Sequence, residues 1–144
     1  MESSSIHKLH PEKMDHVGIV VKDIDKAMET WSSIFDTSPW DIHDMNSTDE
    51  DGKPFKVRFA NTYIGGIRFE LMQTLEGRST YSSFSDKFGE GLHHISFYVD
   101  DIEAEVSNLE AQGAKVLEKG TGRYAYLDKS GLGIIFELLT KGVT

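Results

Sequence analysis

Residues 14–25 read MDHVGIVVKDID, and residues 92–103 read LHHISFYVDDIE. One displacement, 94 − 16 = 78, lays His16 on His94, Asp23 on Asp101 and Ile24 on Ile102. In the first stretch His16, Gly18 and Val20 share one face and Val17, Ile19 and Val21 the other, which is the alternation of a β-strand. Asp23 then offers an N-cap, and Ile24, Ala27, Met28, Trp31, Ile34 and Phe35 recur at helical spacing over residues 24–35. The second stretch repeats the scheme. A strand over 92–99 is followed by Asp101 as cap, by a helix carrying Ile102, Val106 and Leu109, and by Gly113 as its stop. Trp31, Phe35 and Leu109 are expected in the core.

A second displacement, 137 − 70 = 67, lays GIRFEL (66–71) on GIIFEL (133–138). The difference, 78 − 67 = 11, is extra chain in the first copy, and the polar stretch 36–54 is its natural place. That stretch reads as irregular, with 46–52 (NSTDEDG) as a surface loop. Strand-like runs follow over 55–63 and 67–74, joined at Gly65-Gly66. Residues 75–91 read as a polar connector with a helical turn near 82–88. Strands are expected over 114–117, 123–127 and 133–139. The spacing therefore predicts an α+β fold of two tandem βαβββ modules, 14–75 and 92–140, forming a curved mixed-sheet cup within one domain over 14–142. Residues 1–13 read as a flexible leader.

The chain has 144 residues, enough for one domain; 38% are hydrophobic, and eight Phe, five Tyr and two Trp can build a core. The absence of cysteine excludes a disulfide scaffold, thiolate metal sites and a thiol nucleophile. The acidic excess, 24 against 15 for a net charge of −9, argues against nucleic acid or an anionic membrane as partner. No apolar run is long enough to cross a bilayer, and the N-terminal stretch does not resemble a secretory signal. A cytoplasmic protein is expected.

Each module opens with a strand bearing a His and closes with a strand bearing a Glu. Burying an unpaired carboxylate in an apolar strand such as IRFEL or IIFEL costs several kcal/mol, on the order given by. A cation shared by His16, Glu70, His94 and Glu137 explains why both copies carry that cost. Two imidazoles and two carboxylates form a ligand set for Zn, Ni, Co, Mn or Fe, with positions left for substrate or water. Arg68, two residues before Glu70, shares its face and reads either as an anchor for a substrate anion or as an ion-pair partner of the glutamates. Ser96 and Tyr98 share the His94 face and are candidate pocket residues. Arg58 and Arg123 are weaker anion-binding candidates. His93 points to the opposite side of its strand and reads as structural, while His7, His10 and His43 read as solvated.

The segments DHVGIVVKDIDKA, IRFELMQ, GLHHISFYVDDIEA and YLDKSGLGIIFELL resemble the vicinal oxygen chelate superfamily over about residues 14–140, with methylmalonyl-CoA epimerase and glyoxalase I as neighbours. The resemblance implies one divalent metal held by His16, Glu70, His94 and Glu137, a small substrate with vicinal oxygens, and commonly a homodimer. It implies an isomerase or lyase working through an enolate or enediolate, with Glu70 or Glu137 as the base. Two alternatives share the superfamily: a non-haem metal dioxygenase and a metal-free drug-sequestering protein. The chain departs from the epimerase pattern before its third strand. Gly52-Lys53-Pro54-Phe55 carries no carboxylate there, and Leu127-Asp128 replaces the family's His-Pro.

Overall fold

The computed structural model describes residues 8, 9, 11, 13–120 and 122–140. His7, His10 and most of the stretch 1–13 lie outside the described residues. The elements run β1 (Lys13–Val20), α1 (Ile24–Ile34), β2 (Asp41–Thr48), β3 (Pro54–Ile64), β4 (Ile67–Glu76), α2 (Thr80–Phe88), β5 (Gly91–Val99), α3 (Ile102–Ala111), β6 (Lys115–Gly120), β7 (Tyr124–Asp128) and β8 (Ile135–Thr140). Two compact units result, one of residues 16–93 and one of residues 94–144 with the N-terminal stretch to residue 15. Among the described residues, no helix is long and apolar enough to cross a membrane.

In the first unit the strands are ordered β2-β3-β4-β1. Two antiparallel pairings build β2-β3-β4, and β1 then joins β4 in parallel. The second unit repeats this as β5-β8-β7-β6, with β5 parallel to β8 and the other pairs antiparallel. The fold is α+β, two βαβββ modules each with a mixed four-stranded sheet. The registers match residue for residue. His16 lies opposite Arg68 and Gly18 opposite Glu70, while His94 lies opposite Ile135 and Ser96 opposite Glu137. The duplication read from the sequence is thus also a duplication of hydrogen-bond register, which sets side-chain facing in a sheet.

Both helices start as the two aspartates dictate. Asp23 Oδ1 accepts the Lys26 N–H at 3.1 Å, and Asp101 Oδ1 accepts the Ala104 N–H at 3.1 Å. Each cap satisfies a donor that the first helical turn leaves without a partner. Immediately after the caps, Ile24 and Ile102 are each 2% exposed and anchor their helices to the sheets. Ile24 packs with Val21, Ala60 and Leu71; Ile102 packs with Val106, Leu127 and Leu138. Leu9 also packs against this second cluster. Asp101→Ala is expected to lower stability by about 1 kcal/mol, read as a lower urea midpoint; an unchanged midpoint would show that the cap contributes nothing.

Three expectations need correction. The stretch 36–54 is not irregular, because Asp41–Thr48 forms β2, paired along its length with β3. Every residue of β2 is exposed, so no buried face imprints an alternating pattern on its sequence. The turn signal itself was sound. Asp49 Oδ1 accepts the N–H groups of Asp51 and Lys53 at 2.9 and 2.8 Å, and Gly52 takes φ +78°. The extra chain of the first copy lengthens this hairpin, whose strands have 8 and 11 residues against 6 and 5 in the second copy.

Phe35 is the second correction. The helix ends at Ile34, Phe35 is its extended C-cap, and its side chain is 44% exposed rather than in the core. Trp31 and Leu109 do pack against the cores, half-buried. Third, the turn near 82–88 is a full helix from Thr80, capped by Ser79 in a reciprocal box with Ser82. Gly65-Gly66 closes the β3–β4 hairpin with φ +57° and +84°, the two left-handed positions of a type I′ turn.

Candidate metal centre

In the first module the parallel β1–β4 register turns His16 and Glu70 to one face, from neighbouring strands. His16 is 4% exposed, and its Nε2 lies 3.4 Å from Glu70 Oε1. Arg68, opposite His16, sends one guanidinium nitrogen to His16 Nδ1 at 2.9 Å and the other to Asn61 Oδ1 at 2.6 Å. The latter nitrogen is also 3.8 Å from Glu70 Oε2. Arg68 thus touches His16 and Asn61 and lies within ion-pair distance of Glu70.

The second module repeats the pair with other surroundings. His94 is fully buried, and its Nε2 stands 3.4 Å from Glu137 Oε1. Ser96, also fully buried, donates Oγ–H to the same Glu137 oxygen at 2.5 Å. The Tyr126 ring lies edge-on to the His94 imidazole at 4.9 Å. Tyr98 is half-buried further along β5, opposite Leu139.

A spacing of 3.4 Å is longer than a good N–H···O hydrogen bond. It suits two donors bound to one dication, which at bond lengths near ~2.1 Å stand roughly 3 to 3.4 Å apart. Imidazole nitrogen with carboxylate oxygen is the donor chemistry of Zn, Ni, Co, Mn and Fe. Each pair therefore fits a divalent metal by spacing and by ligand type.

Two participants escaped the sequence reading. Asn61, 7% exposed, lies opposite Glu70 on β3, and Tyr126, 5% exposed, lies opposite Glu137 on β7. Neither strand singles them out, since β3 also carries Lys56, Arg58 and Thr62 and β7 also carries Tyr124 and Asp128; only cross-strand register shows what they face.

The remaining candidates fall outside the pairs. His93 is 3% exposed between the rings of Tyr81 and Phe84, with centroids 5.2 and 5.0 Å away. Burial pushes its pKa down to about 4, so it is a neutral core residue. His43 stacks on Phe59 from the exposed β2. Arg58 forks onto Asp44 at 2.8 and 3.0 Å, and that hydrogen bond raises the pKa of the guanidinium and lowers that of the carboxyl. Arg123 is exposed. Tyr124 donates its hydroxyl to Glu118 at 2.8 Å, and burial together with that bond raises its pKa.

The duplicated βαβββ fold is that of the vicinal oxygen chelate proteins. A family model for the Glyoxalase/Bleomycin resistance protein/Dioxygenase superfamily matches residues 15–130, and the chain belongs to that superfamily. Within it, the chain is similar to mouse mitochondrial methylmalonyl-CoA epimerase, 29% identical over 118 residues, which cover 81% of this chain and 61% of that protein. The chain thus spans about three-fifths of the length of that relative. Among solved structures it is similar to the Mycobacterium tuberculosis methylmalonyl-CoA epimerase, with TM-score 0.65, 25% identity and 93% of each chain covered. It is also similar to a Streptomyces coelicolor methylmalonyl-CoA epimerase in complex with 2-nitronate-propionyl-CoA, with TM-score 0.63, 26% identity, and 92% and 99% covered.

Proposed function

We propose that the chain is a methylmalonyl-CoA epimerase-like enzyme in which His16, Glu70, His94 and Glu137 hold one divalent metal ion. The substrate is a small acyl thioester with two oxygens placed to chelate. The observation that carries this reading is the recurrence of one His–Glu pair, at 3.4 Å and in the same register, in both modules. Burying a carboxylate is costly, and a dication beside Glu70 and Glu137 would offset that cost in both copies. The relatives' names favour the epimerase over the dioxygenase and the drug-sequestering protein.

The chemistry to be served is removal of a weakly acidic proton α to a thioester. A bound dication supplies Lewis-acid stabilisation of the oxyanion that develops there. The chain's own residues do the rest. His16 and His94 offer neutral nitrogen donors, and Glu70 and Glu137 offer the negative charge that holds a dication. With no acidic residue at Gly52-Lys53-Pro54-Phe55, proton movement falls to the carboxylate oxygens of Glu70 and Glu137. Ser96 positions Glu137 by occupying Oε1. Arg68 and Tyr98 serve the substrate, the guanidinium through its charge.

The test is proton exchange in heavy water, followed by NMR, with methylmalonyl-CoA beside a hemithioacetal and a keto sugar. The expected result is loss of the α-proton signal of the thioester, abolished by EDTA and restored by Co²⁺. Absence of metal-dependent exchange across all three substrates would overturn the proposal.

A further inference from the structure

The two modules share their His–Glu pairs but differ at one register position. Opposite the histidine stands Arg68 in the first module and Ile135 in the second. A guanidinium has only donors, so in the 2.9 Å contact His16 Nδ1 is the acceptor and carries the ring's lone pair. A neutral His16 then has its proton on Nε2, and that nitrogen faces Glu70 Oε1 at 3.4 Å. A nitrogen that carries a proton cannot ligate a metal. With Nδ1 taken by Arg68 and Nε2 protonated, neither nitrogen of His16 is open to a cation. The guanidinium is itself held, by Asn61 Oδ1 at 2.6 Å and by the charge of Glu70, and its side chain is 16% exposed.

We propose that Arg68 is a built-in competitor of the metal: its contact with His16 and ligation of His16 through Nε2 exclude one another. Loading the first pair requires Arg68 to leave Nδ1. The ring then gives up its Nε2 proton and takes one at Nδ1 from water, remaining neutral throughout. Glu70 at the same time exchanges a guanidinium neighbour for a dication. The second module carries Ile135 at that register position. This deepens the metal reading and rests on it.

Two measurements test the proposal apart from activity. Long-range ¹H–¹⁵N NMR of metal-stripped protein labelled at histidine reports which ring nitrogen is protonated. His16 is expected as the Nε2–H form in the wild type, and Arg68→Ile, which copies the second module, is expected to lose that preference. Metal affinity is then measured by titration with Co²⁺ against a chelating dye. Arg68→Ile is expected to bind about tenfold more tightly or better, and Co²⁺ is expected to convert wild-type His16 to the Nδ1–H form. Arg68→Gln is the second variant should the isoleucine protein not fold, and the same gain is expected. Arg68→Lys separates charge from geometry: it keeps the charge without the fork, so an affinity rise with it supports the lock. An Nδ1–H tautomer in the metal-free wild type would overturn the proposal, as would equal or weaker Co²⁺ binding by the isoleucine and glutamine variants, with the metal reading left standing. Absence of Co²⁺ binding in the wild type and in every Arg68 variant would overturn the metal reading, and the competition with it.

Discussion

Glu137→Gln is expected to weaken Co²⁺ binding more than ~100-fold and to slow α-proton exchange by about 10³-fold. The substitution keeps size and shape and removes one negative charge from a position 6% exposed. At that burial the carboxylate charge is poorly screened, so it contributes strongly both to holding a dication and to accepting a proton. Stability distinguishes this from simple unfolding. Removing a buried carboxylate leaves the metal-free protein as stable as the wild type or more so, while the stabilisation that the wild type gains from added Co²⁺ is expected to disappear. Wild-type Co²⁺ affinity and exchange in Glu137→Gln would remove Glu137 from both roles.

Acid is expected to weaken the first unit through His93. Packed between Tyr81 and Phe84, this imidazole has its pKa pushed by burial from 6.5 to about 4. The unfolded chain therefore binds more protons than the folded one between those two values. The sign follows: His93 costs nothing above pH 6.5, stability falls as pH drops from 6.5 towards 4, and below 4 its effect is constant. The full effect is about 3 kcal/mol, from the conversion of pKa difference into free energy. His93→Phe keeps the aromatic packing and removes the titration. Its stability relative to the wild type is expected to rise by that amount as the pH is lowered from 7 to 4, measured by urea unfolding at each pH. A difference independent of pH would show that His93 takes up its proton without unfolding pressure.

Much of the architecture was legible because its signals are local. Strand alternation at 14–21 and 92–99, the capping aspartates at 23 and 101, and the Gly65-Gly66 turn each lie within a few consecutive residues. Repetition made them stronger, since Asp23 and Asp101 predict the same cap and form it at the same 3.1 Å. The candidate ligands were legible for a related reason: a glutamate inside an apolar run conflicts with burial wherever it occurs, and here it occurs twice. β2 left no such mark. A strand with both faces in solvent is held by backbone hydrogen bonds, which any residue but proline can make, so its side chains need follow no pattern.

By itself, then, the sequence determined the duplication, most of the elements and the four candidate ligands, because periodicity and unusual polarity are written in neighbouring positions. Tertiary structure alone decided what stands beside each of those four. Arg68 meets His16 from 52 residues away, Asn61 faces Glu70 across a hairpin, and Ser96 reaches Glu137 from 41 residues away. Those partnerships are set by strand register, which closes only when the whole sheet of each module has formed.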